Sequence, residues 1–88
     1  MVRIGDGRYA VRVRAPEAGR VALRGDFTGW EPVKLRPAGP GWWEVVIEMA
    51  PGLHQLQLSV DGGTWQPPPG VPTTLGTYGD EVGIVVAR

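Results

Sequence analysis

The chain has 88 residues, room for one domain (1–88) with a thin core. It has no cysteine and a single histidine, His54; a disulfide framework, a cysteine zinc site, a thiol nucleophile and a histidine-rich metal site are thereby excluded, and no cofactor is expected. Net charge is zero: six arginines in residues 1–25 face only Asp6 and Glu17, while Lys34, Arg36 and Arg88 face seven acids in the remainder, so no uncancelled basic surface points to nucleic acid.

The N-terminal stretch MVRIGDGRYAVRVR has no apolar h-region, and no apolar run approaches the ~20 residues of a membrane span. A cytoplasmic chain with no membrane partner is expected. Along the chain, apolar and polar residues alternate with a period of two. Tyr9, Val11 and Val13 alternate with Arg8, Ala10, Arg12 and Arg14. Val21 and Leu23 alternate with Arg20, Ala22 and Arg24. Trp43, Val45, Ile47 and Met49 alternate with Trp42, Glu44, Val46 and Glu48. Leu56, Leu58 and Val60 alternate with Gln55, Gln57 and Ser59, and Val82, Ile84 and Val86 close the chain.

Turn signals separate these runs at Pro40-Gly41, Pro51-Gly52 and Asp61-Gly62-Gly63. No window carries sustained helical spacing. Short strands with one wet face each predict an all-β antiparallel sandwich. Its predicted interior is Val11, Val21, Leu23, Trp43, Val45, Ile47, Leu56, Leu58 and Ile84. Residues 65–78, WQPPPGVPTTLGTY, read as a stiff irregular loop across the sandwich edge. Arg12, Arg14, Arg20 and Arg24 are expected to pair across strands with Glu44 and Glu48 on the solvent face.

Catalytic constellations fail on spacing. Glycoside hydrolysis needs carboxyls roughly 5–5.5 Å apart, or about 6.5–9.5 Å for inversion. Glu44 and Glu48 share a strand face but stand about 13–14 Å apart along an extended chain. Asp80 and Glu81 are adjacent, so on a strand they would point to opposite faces; Asp26 and Glu31 share a loop, a pair that stays open but has no further support. Ser59 and His54, five apart, fall on opposite faces of one strand. His54 has the phase of Leu56 and Leu58 and reads as a half-buried strand-start residue. No enzyme is expected.

The informative segments are Gly25-Asp26-Phe27-Thr28-Gly29-Trp30, Gly41-Trp42-Trp43, Pro51-Gly52-Leu53-His54-Gln55-Leu56, Val60-Asp61-Gly62-Gly63-Thr64-Trp65 and Leu75-Gly76-Thr77. In this order and spacing the set resembles carbohydrate-binding module family 48. That family includes the glycogen-binding domain of the AMP-activated protein kinase β subunit and the N-terminal domains of isoamylases and glycogen-branching enzymes. The resemblance runs from about Val21 to the C-terminus. It implies an immunoglobulin-like early-set sandwich that binds an α-1,4-glucan (glycogen, starch or a maltooligosaccharide) without catalysis.

It also implies a site built on Trp30 and Trp65, with Leu75 inserted against a sugar ring and Thr77 in the same loop. A rigid indole suits the flat C–H face of a glucose ring. Two positions depart from the family. Its sugar-binding lysine falls at Gln57, which still donates and accepts hydrogen bonds, and its asparagine falls at Gly79. Restoring the charge by Gln57→Lys is expected to leave binding unchanged or to tighten it. Among the other aromatics, Trp43 reads as core, Phe27 as a plug inside the turn, and Trp42 as a wet-face residue for the glucan, an arginine stem or a dimer contact. The second reading of the chain is a protein-interaction or homodimerisation module that has lost sugar binding.

Overall fold

The computed structural model describes residues 1–77 and 79–88. The alternating runs form nine strands among the described residues: β1 (Val2–Gly5), β2 (Arg8–Arg14), β3 (Val21–Gly25), β4 (Val33–Lys34), β5 (Arg36–Pro37), β6 (Trp42–Glu48), β7 (Gly52–Val60), β8 (Thr73–Leu75) and β9 (Glu81–Ala87). All pairs are antiparallel, in one sheet ordered β1-β2-β6-β5 and another ordered β4-β3-β7-β9-β8. The only helical element among the described residues is a 3-10 turn at Asp26–Thr28. The architecture is the expected all-β, immunoglobulin-like sandwich. No helix among the described residues is long and apolar enough to cross a membrane.

Register explains the core. Tyr9 lies opposite Ile47 and Val11 opposite Val45, so one phase of β2 and β6 turns inward together. On the facing sheet Leu23 lies opposite Leu58, with Val21 and Leu56 in the same layer. Each leucine so buried contributes about 1.5–3 kcal/mol. Leu35, between the two-residue strands β4 and β5, is buried and donates its N–H to Val21 O at 2.9 Å. The Tyr9 hydroxyl exchanges two bonds with the Arg88 backbone, donating to its carbonyl at 2.7 Å and accepting its N–H at 2.8 Å. Trp43 is half-buried against the core, with Nε1 donating to Ala15 O at 3.1 Å.

Three expectations are corrected. Ile84 does not face the interior: it pairs with Gln55 on the outer face, while Gly83, Val85 and Ala87 turn inward. The run 82–86 is apolar on both phases, so alternation cannot choose. Sterics do: a Cβ on residue 83 would stand 2.7 Å from Val71 Cγ2 and 2.8 Å from Pro68 Cδ, and only glycine fits there. Second, residues 65–78 are not all irregular. Gln66 bridges Leu58, and Thr73–Leu75 pairs with β9 as an edge strand; Tyr78 lies outside the described residues.

Third, the arginine rows divide between the sheets. Arg12 bonds Glu44 at 2.6 Å as expected. Arg14 instead lies over the Trp42 ring, 6.0 Å from its centroid. Arg20 precedes β3 and Arg24 lies within it, in the other sheet, away from Glu44 and Glu48.

Candidate functional site

The site begins at a crowded turn. A Cβ at Gly25 would stand 2.5 Å from the Phe27 ring and 2.6 Å from Gln55 O, so only glycine lets β3 end here. The Thr28 hydroxyl then accepts the Gly25 N–H at 3.1 Å and donates to its carbonyl at 3.0 Å. Phe27 packs against the core and meets His54 edge-on, at 5.8 Å between centroids. The Trp30 N–H returns to Gly25 O at 2.9 Å, with φ of 62° at Trp30. A bulky side chain in the left-handed region costs on the order of 1–3 kcal/mol. The indole so held is 39% exposed. Such strain collects at binding sites.

Asp26 and His54 brace this turn. Asp26 accepts from His54 Nδ1 at 2.8 Å and from the Gln55 N–H at 3.2 Å. The other ring nitrogen, Nε2, lies 2.6 Å from Ala50 O. Both ring nitrogens face acceptors, an arrangement satisfied in full only by the imidazolium. The His54 pKa is raised above its ordinary value, chiefly by the Ala50 carbonyl; burial opposes this, and the Asp26 hydrogen bond and charge add to it.

The outer face of the five-stranded sheet carries the rest. Trp30, Gln57 and Thr77 line one open hollow of about 170 Å³ together with Arg24, Gln55 and Asp80. That is well below the ~300–1,000 Å³ of pockets that enclose a drug-sized ligand. The hollow is thus an open feature of the sheet surface and not an enclosing pocket.

Gln57 is 1% exposed and spends its whole hydrogen-bonding capacity internally. Its Oε1 accepts Arg24 Nε–H at 2.9 Å and Nη2–H at 2.8 Å. Its Nε2 donates to Asp80 Oδ2 at 2.8 Å and to Glu81 O at 3.0 Å. The amide therefore relays between a cation and an anion rather than presenting free groups.

Trp65 stands on the other side of Arg24. It is half-buried, with the Arg24 guanidinium 4.4 Å from its ring centroid. It lines a neighbouring hollow with Arg20, Lys34 and Ser59. The preceding turn is fixed by Asp61, whose Oδ1 accepts the N–H groups of Gly19 at 2.7 Å and Arg20 at 3.0 Å. Leu75 is 71% exposed on the edge strand β8, opposite Glu81. Gly79 carries a φ of 85° and donates its N–H to Gly76 O at 3.0 Å.

Trp30, Gln57 and Thr77 thus meet in one hollow, Trp65 joins them through Arg24, and Leu75 projects two residues before Thr77. Trp42 lies on the other sheet and does not line this hollow. Arg24 and Asp80 are the members that sequence reasoning missed. The polar phase of β3 placed Arg24 on a wet face, but nothing in its own segment tells which sheet that face belongs to.

A family model described as the glycogen recognition site of AMP-activated protein kinase matches residues 11–88. No curated protein matches the chain.

Proposed function

Because the chain belongs to the family of the glycogen recognition site of AMP-activated protein kinase, whose members are non-catalytic carbohydrate-binding modules, we propose that it binds α-1,4-glucan through the outer face of the five-stranded sheet. One glucose ring stacks on Trp30, whose indole is held exposed at a backbone cost over an open hollow. That observation carries the reading. A second ring meets the part of Trp65 that Arg24 leaves uncovered. Thr77 sits at the rim, and Leu75 supplies an apolar wedge against the chain. Gln57 acts from beneath, through the groups it holds.

The module has no hydrolytic step of its own and serves to tether. Retention on amylose or glycogen resin tests this. Wild type is retained and eluted by maltoheptaose, and Trp30→Ala and Trp65→Ala each lose at least ~2 kcal/mol of affinity, as expected of central aromatic anchors. Equal retention of all three chains contradicts it. A protein-binding role has its own support on the opposite sheet, where exposed Val2, Val46 and Trp42 share the outer face of β1, β2 and β6.

A further inference from the structure

β3 sets Arg24 directly opposite Gln57, and the two side chains lock together. Gln57 Oε1 takes both the Nε–H and an Nη2–H, so the guanidinium is held at two points. The Trp65 indole packs against the guanidinium plane at 4.4 Å. Trp30 lines the same hollow as Arg24. The cation is thereby held by Gln57 and Trp65 at the edge of the hollow that Trp30 also lines.

A guanidinium has five N–H donors. Two are spent on Gln57, and the other three meet no acceptor among the described residues. No carboxylate pairs with Arg24 among the described residues, where the ion pairs belong to Arg3, Arg12 and His54. Asp80 is bound at the far end of the Gln57 amide. Arg24 is therefore oriented without being neutralised by contact.

We infer that Arg24 is the charged hydrogen-bond donor of the glucan site, and that Gln57 is its positioning residue. The inference rests on the glucan reading of this face. A guanidinium is weakly hydrated for a cation, so covering it with a sugar costs less than covering an ammonium. Its bonds to hydroxyl oxygens are charge-assisted, roughly twice as strong as neutral ones. The planar fork suits two adjacent ring hydroxyls, as glucose presents them. Stacking on Trp30 supplies area, and Arg24 fixes the orientation of the sugar ring above the hollow.

The test is a titration of wild type, Arg24→Gln and Arg24→Lys with maltoheptaose, followed by ¹H–¹⁵N NMR. The readouts are the indole signals and the Arg24 Nη–H protons, which include the donors that Gln57 leaves free; their exchange with water slows when sugar oxygens accept them, and a purely structural arginine would leave that exchange unchanged. Wild type is expected to bind with slowed exchange of those Nη–H protons, and both variants to bind at least tenfold more weakly with native amide spectra. If wild type binds and Arg24→Gln binds equally well, or if Nη–H exchange is unchanged at saturation, the inference is overturned while the glucan reading stands. If wild type itself does not bind, the glucan reading fails and the inference falls with it. Should Arg24→Gln fail to fold, the wild-type Nη–H exchange decides alone.

Discussion

Replacing Gln57 with lysine puts a charged donor where the family resemblance places one, and the sequence alone suggests unchanged or tighter binding; the buried hydrogen-bonded amide reverses that expectation, and the change is expected to do harm. The native amide is buried and makes four hydrogen bonds, two from Arg24, one to Asp80 and one to Glu81 O. A lysine ammonium keeps the Asp80 side, since it can donate to that carboxylate. It cannot accept anything, so Arg24 loses both of its bonds and gains a like charge as neighbour. Attraction to Asp80 and repulsion from Arg24 nearly cancel, each on the order of 4 kcal/mol at an effective dielectric of about 20. What remains is two lost bonds from a charged donor, each worth about 1.5–3 kcal/mol in general, reduced here because Arg24 is only partly buried and water can replace some of them. A net destabilisation of about 2–4 kcal/mol follows, and for a domain of this size about 3 kcal/mol lowers Tm by about 12–24 °C. Thermal unfolding followed by circular dichroism measures it. A matched pair isolates the cause: Gln57→Glu sets a carboxylate against Asp80, and adding Asp80→Asn restores a donor and recovers most of the loss. A Gln57→Lys chain as stable as wild type, with equal or tighter maltoheptaose binding, would refute the relay.

Trp30→Gly removes an exposed indole and relieves its left-handed backbone; it is expected to abolish glucan retention while Tm stays the same or rises by the equivalent of about 1 kcal/mol, and a large drop in Tm would show that the indole serves the fold. His54 has a folded-state pKa raised above its unfolded value of about 6.5. Its stabilisation is therefore complete below pH 6.5 and lost as pH rises through the folded value. Tm should fall over that window in wild type relative to His54→Gln, and parallel curves for the two chains would remove the imidazolium from the account. Asp61→Ala loses two bonds to the Gly19 and Arg20 N–H groups and should cost about 1–3 kcal/mol in chemical denaturation, with Asp61→Asn recovering part of it; an unchanged midpoint would show that the turn does not need them.

The alternation of Tyr9, Val11, Leu23, Ile47, Leu56 and Leu58 with polar neighbours made both sheets readable, because one face of each strand is wet. It failed at 82–86, where both phases are apolar and the crowding at Gly83 decides the facing. It also gave no sign of the two-residue strands around Leu35 or of Thr73–Leu75, whose pairing depends on neighbours distant in sequence. At the candidate site, Trp30 and Thr77 were marked out by the family resemblance, and both line one hollow. Arg24 was not marked. Its place beside them follows from the β3–β7 register, which sets it opposite Gln57, and from the path of the chain that brings Trp65 against it. Where the family resemblance places a lysine, this chain holds Gln57 with the Arg24 cation bound to it from the neighbouring strand.

Uptake of an α-glucan on this sheet face is tested most directly by a maltoheptaose titration of wild type read by tryptophan fluorescence and indole NMR signals. The predicted result is a saturable change at millimolar ligand or below that moves the Trp30 and Trp65 signals, leaves Trp43 in place, and varies little with salt because the ligand is neutral. Indole signals unmoved by millimolar maltoheptaose would contradict it.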